Sequence, residues 1–73
     1  MSKYYFTFGQ DHRHELNGMI LDKDCVLEIS ASCVFEARQK MFDIFGQKWS
    51  NVYIKKPDMS FFNRGIFKYE TLR

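Results

Sequence analysis

The run from Ser32 to Trp49, SCVFEARQKMFDIFGQKW, is the longest stretch of helical periodicity in the chain, and the remaining segments have to be arranged around it. With successive residues set about 100° apart, Ile44, Ala37, Met41, Val34, Phe45, Phe42 and Phe35 fall on one broad arc, and Gln39, Asp43, Glu36, Gln47 and Lys40 lie opposite. The spacing predicts a helix with one buried face, lying as a lid on a sheet. Ser32 is placed to cap its start by accepting from a free amide, and Glu36 in the first turn suits the positive end of the helix dipole. The strict capping box is excluded, because Phe35 occupies its third position. Gly46 follows the last apolar residue and predicts a stop at Phe45, after which Trp49 can fold back on the last turn. Arg38 falls inside the apolar arc, between Phe45 and Phe42. Either its stem lies along apolar surface with the head in water, or the guanidinium reaches over the sheet edge to hold a carboxylate or phosphate.

The flanking segments read as strands. Lys3 to Phe8 alternates Tyr4, Phe6 and Phe8 with Tyr5 and Thr7, and all five are good strand formers. A polar excursion from Gly9 to Asp24 contains Asn17-Gly18, the dipeptide that best tolerates the two positive φ angles of a type I′ turn, and predicts a protruding hairpin. Cys25 to Ala31 places Cys25, Leu27 and Ile29 on one face and Val26, Glu28 and Ser30 on the other. Asn51 to Lys56 reads as a strand with Val52 and Ile54 inward, ended by Pro57, which cannot donate to a ladder. Met59 to Asn63 suits one helical turn, and Gly65 to Glu70 an edge strand after an Arg64-Gly65 turn. The expected fold is α+β: a small antiparallel sheet of three or four strands plus the N-terminal hairpin, with one helix on one face, in the order β-hairpin-β-α-β-β. The second sheet face, carrying Tyr5 and Thr7, is expected to be wet or covered by a second copy.

Seventy-three residues make a single domain, residues 1–73, and a chain of this length hides only about 60% of the surface it exposes when unfolded. Small domains usually need a staple. Cys25 and Cys33 give no disulfide framework, and MSKYYFTFGQDHRH reaches charge before any apolar leader segment forms. The apolar runs are too short to cross a bilayer. These features lead to the expectation of a cytoplasmic protein with no membrane association. Eight Phe, four Tyr and one Trp in so short a chain point to self-association, and a homodimer is expected.

The formal charge of +2 conceals an asymmetry. Up to Phe45 there are five Lys/Arg against seven Asp/Glu, net −2, and from Gly46 onward six against two, net +4. The basic third interleaves cations with rings, Lys48, Trp49, Tyr53, Lys55, Lys56, Phe61, Phe62, Arg64, Lys68 and Tyr69, the combination that single-strand binding uses. The sheet signature of an RNA-recognition motif and any helix-turn-helix pattern are missing. His12 and His14 would project to one side of an extended hairpin, yet a metal site would need Asp24 or Cys25 as further ligands. No phosphate loop, nucleophile elbow or paired-carboxylate spacing occurs. No enzyme activity, cofactor or metal is therefore expected.

YYFTFGQ-x-HRH near the start and A-R-x-x-M-F-x-x-F-G-x-K-W in the helix are the patterns through which the chain resembles a group of short proteins encoded by bacteriophages and prophages. The resemblance implies an accessory protein that binds and blocks a host factor, such as a component of a defence system, and carries over no catalytic residue. Three readings follow: a stoichiometric binder of a host protein or of a small polar or anionic ligand, a nucleic-acid-binding module, and a metal-dependent enzyme centred on His12 and His14. For the first, the contact residues are Gln10, His12, Arg13, His14, Arg38, Lys48 and Trp49, since loops on a rigid scaffold carry function. For the second they are Tyr53, Lys55, Lys56, Arg64 and Lys68.

Overall fold

The computed structural model describes residues 1–72. Its centre is the antiparallel pair of β1 (Ser2–Thr7) and β4 (Cys25–Ala31), in register from Ser2 opposite Ala31 to Thr7 opposite Val26. Tyr4 to Phe8 are all buried, and so is most of β4. Strands hidden on both faces need apolar residues at nearly every position rather than strict alternation, which is what YYFTF and the first half of β4, Cys25 to Leu27, supply. Further along β4, Glu28 and Ser30 alternate with Ile29 and Ala31 and are only half-buried. On one face Tyr4, Phe6, Phe8, Leu27, Ile29 and Ala31 form the core with Ala37, Met41 and Phe45 of the helix α1 (Val34–Phe45). The architecture is α+β, in the expected order.

Two short strands, β5 (Asn51–Tyr53) and β6 (Gly65–Lys68), complete a four-stranded sheet in the order β5-β1-β4-β6. The sheet is mixed, not wholly antiparallel, because β6 runs parallel to β4. The reason is the route of the chain. β5 is antiparallel to β1 and therefore runs the same way as β4; residues 54–64 then carry the chain from one edge of the sheet to the other, and a crossover of this kind returns a strand in the parallel sense. The crossover runs over the face opposite the helix, where its Phe61 and Phe62 share a hollow with Thr7 and Tyr53. Tyr5, Thr7 and Val26, which point to that face, are buried by the chain itself. β5 is shorter than the Asn51 to Lys56 strand expected: Val52 packs on the core, but Ile54 is 74% exposed. β6 gives way at Tyr69 to a closing 3-10 turn, Tyr69–Leu72.

The helix ends as its sequence suggests and begins differently. Gly46 adopts φ 61° and ψ −126°, open to glycine because it has no Cβ, and its amide donates to the Phe42 carbonyl at 3.0 Å. At the start, Cys33 rather than Ser32 holds the capping position, with no side-chain cap. Glu36 reaches back instead: its carboxylate accepts from the Ser32 hydroxyl at 2.9 Å and from the Ser32 amide at 3.3 Å. Those two bonds hold the Glu36 carboxyl below its ordinary pKa. The apolar arc of the helix is wider than the face that is buried. Ala37, Met41 and Phe45 are covered, Val34 and Ile44 partly so, while Phe35 and Phe42 are 75% and 39% exposed.

Substitutions separate the two halves of that arc. Met41→Ala removes a fully buried side chain and is expected to cost about 2–5 kcal/mol, whereas Phe35→Ala should stay within about 0.5 kcal/mol of the parent. Urea denaturation of both variants measures the difference.

Candidate functional site

The excursion between β1 and β4 does contain a hairpin, β2 (His14–Leu16) paired with β3 (Met19–Leu21), turning on Asn17 and Gly18 at φ 51° and 78°. It does not protrude. Leu21 is fully buried, Leu16 packs against the core, and the Asn17 amide donates to the Leu72 carbonyl at 3.2 Å. His14 closes this end of the domain: its ring lies 4.6 Å from that of Phe45 and 5.6 Å from that of Phe8, and Nε2 donates to the Lys48 carbonyl at 2.7 Å. A carbonyl only accepts, so the bond fixes the proton on Nε2. The expected contact set is thereby divided. His14 is a packing residue, His12 and Arg13 lie ahead of β2, and Gln10 lines a hollow beneath the sheet. Among the described residues, no three His, Cys, Asp or Glu side chains converge as a metal site would require.

Arg38 of the helix and Trp49 come together, and Lys48 precedes Trp49 in the turn that follows the helix. Arg38 stands on the exposed side of the apolar arc with its guanidinium carbon 5.9 Å from the centre of the Trp49 ring, a cation–π placement. Trp49 is held from three directions: its indole N–H donates to the Gly46 carbonyl at 3.0 Å, and its ring meets Phe6 at 5.2 Å and Phe42 at 5.7 Å, edge-on. Phe35, Arg38 and Phe42 follow one another at helical spacing, so with Trp49 they make a continuous aromatic and cationic stripe beside the buried face. Neither Arg38 nor Lys48 has an ion-pair partner among the described residues. Phe35 and Phe42 were absent from the sequence-derived site, because periodicity assigns them to the core.

The basic and aromatic residues of the C-terminal third are only partly brought together. Tyr53, Lys55, Lys56, Phe61 and Phe62 line a hollow of about 490 Å³ with Pro57 and Asp58. Arg64 serves the fold instead: its Nε donates to Asp22 at 3.3 Å and its amide to the Asp24 carbonyl at 2.8 Å, pinning the crossover to the loop before β4. Lys68 sits on β6, opposite Glu28 in the ladder and outside the hollow. Of the two thiols, Cys33 is exposed at the helix start, while burial pushes that of Cys25 up to about 11. No helix among the described residues is long and apolar enough to cross a membrane.

Comparison with protein-family models, with curated proteins and with solved structures gives no match.

The Asp22–Arg64 contact predicts acid sensitivity. The Asp24 amide and then the Arg64 guanidinium hold the Asp22 carboxyl below its ordinary value. A depressed folded-state pKa means that the contribution is present above the unfolded value, about 3.9, and is lost as pH falls through the folded one. Asp22→Asn should lower the melting temperature at neutral pH and lose less further stability than the parent below about pH 4. Thermal melts over a pH series check both.

Proposed function

We propose that the protein is a non-enzymatic accessory protein that acts stoichiometrically, docking on a bacterial host protein and blocking it. The contact in this reading is the stripe of Phe35, Arg38, Phe42 and Trp49, and the observation that carries it is the exposure of Phe35, Arg38 and Phe42 beside a fully formed core, with the half-buried Trp49 against them. A Phe left 75% exposed on a helix contributes little to folding. Trp, Phe and Arg are the residue types enriched where protein interfaces concentrate their binding energy. Trp49 is preorganised by its hydrogen bond to Gly46 and its packing on Phe6, so docking would immobilise little that is free beforehand. The resemblance of the chain to short phage and prophage proteins supports a host factor, such as a defence-system component, as the target.

The chemistry of the stripe narrows the partner. Arg38 and Lys48 lack carboxylate partners among the described residues, and a guanidinium takes a carboxylate with two parallel hydrogen bonds. The partner surface in this reading carries Asp or Glu beside an apolar depression that receives Phe35. A second copy answers these needs less well, since the stripe itself carries no carboxylate to receive the Arg38 of another copy.

The test is capture from a bacterial lysate with the tagged chain, followed by affinity measurement on the recovered protein. Arg38→Glu and Phe35→Asp should each weaken binding by about 30-fold or more with little change in melting temperature. Reversing a carboxylate on the partner should restore binding to Arg38→Glu. Undiminished capture by both variants would remove the stripe as the contact.

A further inference from the structure

Beneath the sheet, on the side away from the helix, two hollows of about 490 and 390 Å³ adjoin along a common wall made by Tyr53, Phe61 and Phe62. The wall is open to solvent, with Phe61 74% and Tyr53 43% exposed. The two hollows differ in chemistry. One has Pro57 in its lining and two lysines, Lys55 and Lys56, that make no ion pair among the described residues. Asp58, the carboxylate on that side, accepts from the Ser60 amide at 3.0 Å and so holds the turn that presents Phe61. The other hollow is lined by amides and hydroxyls, Gln10 and Asn51 with Thr7 and Ser50, and its Lys23 and Asp24 pair with each other at 3.5 Å. The net charge is therefore positive on the lysine side and balanced on the amide side.

A flat ligand with an anionic group at one end and hydrogen-bonding edges at the other fits that sequence of surfaces. We propose that this cleft binds a nucleotide unit of single-stranded nucleic acid. The base stacks on Phe61 and Tyr53, the phosphate lies between Lys55 and Lys56, and the base edge faces Asn51 and Gln10. Each hollow falls in the range of roughly 300–1,000 Å³ typical of small-molecule sites, which leaves room for a single nucleotide. Aromatic stacking tolerates any base, and lysines act as point charges on phosphate. The site lies on the opposite side of the sheet from the stripe proposed to dock on a host protein and does not depend on it. It retains Tyr53, Lys55 and Lys56 of the basic set and leaves out Arg64 and Lys68, which the fold places elsewhere.

The experiment is fluorescence anisotropy of the full chain with labelled oligothymidylate and oligouridylate at several salt concentrations, with unlabelled thymidine and uridine monophosphates as competitors. Phe61→Ala should weaken binding on the order of tenfold. The double change Lys55→Glu and Lys56→Glu should weaken it further and flatten the slope of log affinity against log salt by about 1.4, the loss of two single-strand phosphate contacts. Lys68→Gln, outside the hollow, should leave the slope unchanged. Displacement by the monophosphates at equal nucleotide concentration assigns the site to a free nucleotide, and its failure assigns it to the polymer. Both results keep the stacking and phosphate chemistry. No binding to either oligomer at low salt, or binding that survives both Phe61→Ala and the double lysine change in variants that melt like the parent, would overturn the proposal.

Discussion

Everything in this fold depends on the pairing of β1 with β4, because Tyr4 to Thr7 and Cys25 to Leu27 are buried on both faces of the pair. A sheet of that kind cannot leave either side in water, so the chain has to cover it twice. The helix covers one side with Ala37, Met41 and Phe45, and the crossover of residues 54–64 covers the other. The mixed sheet is a consequence of that second cover. A tight hairpin from β5 would leave Tyr5, Thr7 and Val26 open, whereas a crossover to the far edge hides them and sets β6 parallel to β4.

Covers this thin need fastening, and the fastenings are polar and long-range. Arg64 ties the crossover to Asp22 and Asp24, His14 ties the hairpin to the turn after the helix, and Asn17 ties the hairpin tip to the C-terminal turn. Each joins segments far apart in the chain. In a chain of 73 residues, with both thiols free, these contacts do part of the work that disulfides or metals do in other small domains. They also show that charged and imidazole side chains conspicuous in the sequence make contacts within the fold: Arg64 closes a loop, and the His14 ring packs against Phe8 and Phe45.

The parts of the fold that were legible are those set by local chemistry. The composition of Tyr4 to Phe8 defined β1, Asn17-Gly18 defined the hairpin turn, and Gly46 defined the end of the helix. The parts that were not legible depend on what a segment meets in space. Helical periodicity puts Phe35 and Met41 on the same apolar arc, and only the position of the sheet decides that Met41 is buried and Phe35 is not. In the same way, hydropathy cannot distinguish a hairpin that stands out from one folded back through Leu16 and Leu21. For the candidate sites, residue types were visible but groupings were not. Trp49 and Arg38 were separately conspicuous, while their stacking and their continuity with Phe42 follow from the turn after Gly46.

The two exposed surfaces have a common origin in this economy of cover. The helix buries Ala37, Met41 and Phe45 fully and Val34 and Ile44 in part, and its apolar arc is broader than that strip and overhangs it. The overhang here is Phe35 and Phe42, with Arg38 between them. On the other side, a crossover without regular structure except one 3-10 turn cannot fill the space over four strands, and hollows remain around Phe61 and Phe62. Thin cover alone would be satisfied by polar residues at these places. The overhang and the hollow wall instead carry Phe and Tyr next to cations without ion-pair partners among the described residues, and it is on this composition that the two proposed contacts rest.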